Sequence, residues 1–193
     1  MSELKITHDS WELNKVFTIS RSSKKTAETL EVQISRDGKT GFGEGVPYSH
    51  YDESIESVTS QIEKLRNNIE NEEINLNNLN EYISAGSGRN AIDCALWDLE
   101  CKTKDQDIWS LLDISKPSSL PCSYTIVLDT VENMISDAIE HNNFPILKIK
   151  VNDKNIERIL TGIRSIFVFS KIDMFSFRVF RVKASLASMI ILA

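Results

Sequence analysis

The sequence predicts an α+β domain followed by the opening units of a parallel βα sheet. Three observations carry that prediction. Residues 3–46 show β-type alternation broken by a D-G turn, which reads as a small antiparallel sheet of three strands. Residues 52–112 then carry apolar positions at helical spacing. After Pro117 the pattern becomes strand, helix, strand, helix with short connections, the signature of βα units.

Taken in order, residues 3–7 and 14–20 are β-rich, and Thr29–Ser35 (TLEVQIS) alternates cleanly up to the turn at Asp37-Gly38. Gly41, Gly43 and Gly45 alternate along the next strand, where glycine marks a bend or the close approach of another backbone. They match no phosphate-binding pattern, because no G-x-x-x-x-G-K-S/T is present. Pro47 ends the sheet. A helix begins near Asp52–Ser54, with Ile55, Val58, Ile62, Leu65 and Ile69 forming one stripe. Residues 67–80 are rich in Asn and Glu and read as a polar connector or a short helix on the surface. Ser87–Asn90 opens the strongest helix, with Ile92, Ala95, Leu96 and Leu99 on one face. Trp97 is expected in the core, and Asp93 and Asp98 at the helix surface or at a contact between the two parts of the chain. Residues 122–128 form a strand, 130–141 a helix, 146–151 a second strand and 152–165 a second helix.

Composition narrows the function classes. A net charge of −6 argues against nucleic acid or an anionic membrane as partner. No stretch approaches the roughly 20 apolar residues of a membrane span, and the N-terminus has no basic segment followed by an apolar run. A cytoplasmic protein is expected, with Cys94, Cys101 and Cys122 as buried free thiols. His8, His50 and His141 match no zinc-ligand spacing.

The chemistry-bearing run is PILKIKV, residues 145–151. Strand periodicity puts Lys148 and Lys150 on one face and Leu147, Ile149 and Val151 on the other. Two crowded ammonium groups repel, which favours loss of a proton from one and makes a general base. The same run also fits an edge strand with a solvated lysine face. The residues alone leave both open.

Landmarks in order bear on that choice: FTISR at 17–21, GFGE at 41–44 with Pro47-Tyr48, AIDCALWDL at 91–99 with Lys102, YTI at 124–126, and KIK at 148–150. Over residues 3–165 the chain resembles the enolase superfamily, in its muconate-lactonizing and dipeptide-epimerase branch. The resemblance implies a capping domain (residues 1–117) and the first two βα units (118–165) of an incomplete (β/α) barrel of TIM type, with chemistry at the C-terminal ends of the strands. It implies an isomerase that removes a proton α to a carboxylate, with Mg²⁺ stabilising the product of that step. Lys150 then resembles the acid/base, and Lys148 the group that binds the carboxylate and lowers its neighbour's pKa. Arg21 resembles the residue holding a distal substrate carboxylate, and Thr125 a substrate-contacting threonine. The implied substrate is a dipeptide such as L-Ala-L-Glu. Muconate or chloromuconate cycloisomerase and o-succinylbenzoate synthase are the alternatives within the branch. A non-catalytic capping-domain protein that binds a partner is the alternative outside it.

The family pattern breaks at residue 166. Of 22 basic and 28 acidic residues in the chain, residues 166–193 hold four and one, together with five of the eight phenylalanines. The third barrel strand should bring a D-x-N motif, yet Asp173 is followed by Met174 and Phe175. The expectations are a frameshifted, apolar, non-family tail and no bound Mg²⁺, because the family's metal carboxylates are absent from these residues. The fragment is expected to be inactive, with unpaired sheet edges and a tendency to aggregate. An oligomer is compatible with the sequence.

Overall fold

The computed structural model describes residues 2–19, 22–152, 158, 161–162, 178–181 and 187–192. Strands β1 (Glu3–Ile19), β2 (Ser22–Arg36) and β3 (Lys39–Gly45) form a sheet in that order, followed by α1 (Ile55–Glu63), α2 (Arg66–Glu70), α3 (Leu79–Tyr82), α4 (Ser87–Lys104) and α5 (Ile108–Leu111). Then come β4 (Ser123–Ile126), α6 (Val131–Glu140), β5 (Ile146–Asn152), β6 (Arg178–Arg181) and β7 (Ala187–Leu192). The chain divides into two compact units. One comprises residues 1–12 and 26–117, the other residues 13–25 and 118–193.

In the first unit β2 and β3 pair antiparallel through the Asp37-Gly38 turn, with Arg36 opposite Lys39 and Leu30 opposite Gly45. Asp37 (φ 49°) and Gly38 (φ 75°) both take the left-handed conformation that such a two-residue turn requires. The two β-rich stretches expected at 3–7 and 14–20 are one continuous 17-residue strand, β1. Alternation places Leu30, Val32 and Ile34 on the inner face of β2, where they meet Val58, Ile62, Ala91, Ile92, Ala95 and Leu99 in one buried core. A reciprocal Ser54–Ser57 capping box starts α1, each hydroxyl accepting the other residue's backbone N–H. At the start of α4 the Glu53 carboxylate accepts the Ser87 N–H at 2.8 Å, where the helix dipole favours negative charge.

The glycine stripe of β3 explains how α4 is seated. A Cβ on Gly41, Gly43 or Gly45 would lie 2.1, 2.0 or 2.4 Å from the carbonyl oxygens of Ala95, Ala91 and Ser87. The helix backbone therefore rests directly on the strand. That proximity lets α4 cap an edge strand whose outward polar groups would otherwise lack protein partners. Asn90 donates to the Glu44 carbonyl (2.9 Å), Asp98 accepts the Phe42 N–H (2.8 Å), and Lys102 donates to the Thr40 carbonyl (2.8 Å). These residues follow i, i+8 and i+12 spacing, which keeps them on one helix face.

Several expectations are corrected. The connector at 67–80 is not a mere surface segment: Ile69, Ile74 and Leu79 are buried in the core, because a polar run needs only a few apolar anchors to be pulled against it. Trp97 is half-buried. Cys94 and Cys122 are exposed and Cys101 is partly so, since Cys94 falls on the outer side of α4 and Cys122 precedes β4.

In the second unit β4 and β5 pair in parallel and α6 joins them. The Thr130 hydroxyl caps α6 by accepting the Asn133 N–H. Met134 and Ala138 of α6, with Val131, pack on Ile126, Leu147, Ile149 and Val151. Beyond β5 the expected pattern fails. Its other edge is not unpaired but holds β7 in antiparallel register, from Leu147 opposite Leu192 to Asn152 opposite Ala187, and the sheet order is β4-β5-β7-β6. The run ASMIIL is apolar and partly β-branched, and an open strand edge is a ready template for it. Of the helix expected at 152–165, only Arg158, Thr161 and Gly162 are described, and they are helical. Among the described residues no helix is long and apolar enough to cross a membrane.

Candidate functional site

The face of β4 and β5 turned away from α6 gathers three of the four residues singled out in the sequence. Leu147, Ile149 and Val151 face the helix and are buried, so strand alternation puts Lys148 and Lys150 on the opposite side, both half-buried. Parallel register sets Thr125 directly beside Lys148. Lys150 lies two residues further on, toward the C-terminal end of β5, where its register partner on β7 is Met189. Thr125 is likewise the penultimate residue of β4.

Arg21 lies outside the described residues, between Ile19 and Ser22. The hairpin on either side of it belongs to the same unit as β4 and β5. Close to its end the Thr18 and Ser23 hydroxyls share a hydrogen bond of 2.9 Å. The Leu128 N–H, just past β4, donates to the Thr18 carbonyl at 3.0 Å. The hairpin is thus tied to the C-terminal side of the strand that carries Thr125.

A second polar cluster escaped the sequence reading. One oxygen of the Asp137 carboxylate accepts from Lys15 Nζ (2.6 Å) and from the Tyr124 hydroxyl (3.2 Å), and lies 3.2 Å from His141 Nδ1. His141 Nδ1 is also 3.0 Å from the Asp137 backbone carbonyl. Both neighbours are acceptors, so Nδ1 carries the proton. The imidazole stacks on the Tyr124 ring, with centroids 3.8 Å apart and planes 7° from parallel. Burial pulls the Lys15 ammonium toward neutrality. Its bonds to Asp137 and Tyr124 outweigh that and hold its pKa above the ordinary lysine value. Tyr124 sits in a motif visible in the sequence, but nothing there links Lys15 to a residue 122 positions away.

Asp137, Glu140 and His141 can bring one ligand atom each within 4.8 Å of one another. This set does not fit Mg²⁺. One Asp137 oxygen already holds the Lys15 ammonium, Mg²⁺ takes oxygen ligands rather than an imidazole, and the cluster lies on α6, on the other side of the sheet from the lysines. A shallow recess beside it, lined by Lys15, Asp129, Asn133, Asp137 and Glu140, likewise contains none of Thr125, Lys148 or Lys150.

Residues 1–113 match the family model of the mandelate racemase / muconate lactonizing enzyme N-terminal domain. This chain belongs to that family. Its relatives include the L-Ala-D/L-Glu epimerase of Escherichia coli K12, 31% identical over 167 residues, which cover 86% of this chain and 52% of the epimerase. An enolase family member from Agrobacterium tumefaciens with homology to dipeptide epimerases, solved with sodium and L-Ala-L-Glu, superposes with a TM-score of 0.79. It is 34% identical, with 86% of this chain and 50% of that one covered. The dipeptide epimerase of Enterococcus faecalis, solved with Mg and L-Leu-L-Tyr, has the same fold (TM-score 0.76, 24% identity, 86% and 50% covered). The chain spans about half the length of the curated relatives it matches. In this family member the N-terminal sheet and helices form the capping domain, an antiparallel sheet covered by α4.

Proposed function

We propose that residues 1–165 are the capping domain and first two barrel strands of a dipeptide epimerase of the L-Ala-D/L-Glu type. In this reading Lys150 is the acid/base and Lys148 binds the substrate carboxylate. Thr125 contacts the substrate beside it, and Arg21 holds a distal carboxylate from the hairpin. The observation that carries the reading is the parallel register of β4 and β5. It sets Thr125 against Lys148, with Lys150 one step further toward the strand end, on the face turned away from α6. The dipeptide relatives supply the substrate class.

The chemistry follows from that arrangement. The neutral Lys150 amine takes the proton from the carbon α to the substrate carbonyl group and becomes an ammonium. The C–H electron pair moves into the adjoining carboxylate, whose charge grows. The Lys148 ammonium beside it pairs with that charge and, while Lys150 is free of substrate, repels its proton. Inversion needs a second acid, outside the described residues, to deliver a proton to the opposite face of the carbon, after which Lys150 gives its proton to water. Mg²⁺ accompanies the dipeptide in the Enterococcus faecalis enzyme. The described residues of this chain hold no donor set that fits it.

We further propose that the sequence from residue 166 is not family sequence but the product of a reading-frame lesion. The opposite charge balance, the phenylalanine content and the antiparallel β7 all support that reading. Reading the gene beyond codon 165 in its other two frames tests this directly. Further barrel strands with acidic motifs are expected, and their absence from both frames overturns the proposal. The rejoined protein should convert L-Ala-L-Glu to L-Ala-D-Glu with Mg²⁺. Failure there, with the protein folded, removes the epimerase function.

A further inference from the structure

The outer half of the β1–β2 hairpin, residues 13–19 and 22–25, contains no buried residue. Among the described residues the apolar core of its unit is built around β4, α6 and β5 and takes nothing from it. Two-stranded ribbons without a packed face are marginal in water. Something other than apolar burial must therefore set where this ribbon points. Two of its anchors lie three residues apart on β1. One is the backbone bond from Leu128 to Thr18. The other is Lys15 on Asp137, whose carboxylate is only 13% exposed and is steadied by the Tyr124 hydroxyl and by His141. Two attachments spaced along a strand fix its direction, where one would leave it free to pivot. Tyr124 immediately precedes Thr125, so the same carboxylate also bears on the strand that carries the candidate substrate contact.

We propose that Asp137 is a positioning residue. By holding Lys15 beside Tyr124 it aims residues 13–19 and 22–25 at the C-terminal end of β4, and so toward a substrate held there. The part of this that concerns substrate rests on the epimerase reading; the latch itself does not.

Hydrogen exchange of the full 193-residue chain, without dipeptide, tests the latch independently of activity. Asp137→Asn and Lys15→Met are expected to speed exchange of residues 13–19 and 22–25 by about threefold to tenfold, the range that an ion pair and its hydrogen bond imply. Residues 26–36 and α4 should stay unchanged. Lys15→Arg, which keeps the cation, should restore the parent rate to within about twofold, and high salt should reproduce part of the Lys15→Met effect. Unchanged hairpin exchange in both loosening variants overturns the proposal. So does exchange that rises equally in residues 26–36 and α4, since that reports general destabilisation, and so does failure of Lys15→Arg to rescue. In the rejoined enzyme Lys15→Met should raise KM for L-Ala-L-Glu and leave kcat within about twofold. An exchange effect without a KM effect keeps the latch and removes its link to substrate.

Discussion

Replacing Gly43 with alanine adds one methyl group at the most confined position of the first unit. That Cβ would stand 2.0 Å from the Ala91 carbonyl oxygen and 2.6 Å from the Ala95 nitrogen, both backbone atoms that cannot rotate away. Ordinary contact begins near 3.4 Å, so α4 must retreat by about 1.4 Å. Overpacking of this kind costs about 1–3 kcal/mol by itself. The retreat also stretches the bonds from Asn90, Asp98 and Lys102 to β3, each contributing about 1 kcal/mol. A total of about 3 kcal/mol or more follows, against a gain below about 1 kcal/mol from replacing glycine in a strand. For a unit of this size that lowers Tm by on the order of 10–20 °C. Gly38→Ala is the control. Nothing lies within 4 Å of its Cβ, and only the positive φ is strained, at a cost of about 1–2 kcal/mol. Urea unfolding followed by circular dichroism and by tryptophan fluorescence measures both. A Gly43→Ala protein as stable as the parent, or less affected than Gly38→Ala, would refute the direct seating of α4 on β3.

Other outcomes are equally specific. Asp98→Ala removes the acceptor for the Phe42 N–H and the partner of Lys102, and should cost about 1–2 kcal/mol in the same unfolding measurement. Ile149→Ala should cost about 2–5 kcal/mol because its side chain is fully buried, whereas Lys148→Ala should change stability by less than about 1 kcal/mol. Equal costs would contradict the assigned faces of β5. The Glu28 carboxyl accepts from Ser10 and pairs with His8, and hydrogen bonds from Ser10, Thr26 and His8 hold its pKa down to about 2. Its contribution to stability is therefore full above the usual carboxylate pKa near 4.5 and is lost as the pH falls toward 2. Carbon-13 titration of the Glu28 carboxyl should show that midpoint, and Glu28→Gln should flatten the acid limb of the stability curve.

What the sequence made legible follows local rules. The period of two in KIKV is enough to separate the lysines from the buried Leu147, Ile149 and Val151, and the alternating glycines of β3 announce a close approach. The approaching backbone could not be named from sequence, because the Ala91 and Ala95 carbonyls lie some 50 residues on and carry no side-chain signal. The Lys15–Asp137 pair is hidden for the same reason: an ion pair between distant segments leaves no periodicity. The strand β7 was missed because an apolar run in a foreign context says nothing about which edge it will meet. The Asn- and Glu-rich connector misled by its average polarity, when three apolar anchors decided its burial.

Thr125, Lys148 and Lys150 share one face of the β4–β5 pair, and the proposed function depends on substrate binding there. Its sharpest test is an NMR titration of the chain, isotopically labelled at lysine and threonine, with L-Ala-L-Glu. The account predicts concerted shifts of the Lys148, Lys150 and Thr125 signals, with Lys102 and Lys104 of the capping domain unmoved. Saturating dipeptide that leaves Lys148 and Lys150 where they were, or that moves all lysines alike, would contradict it.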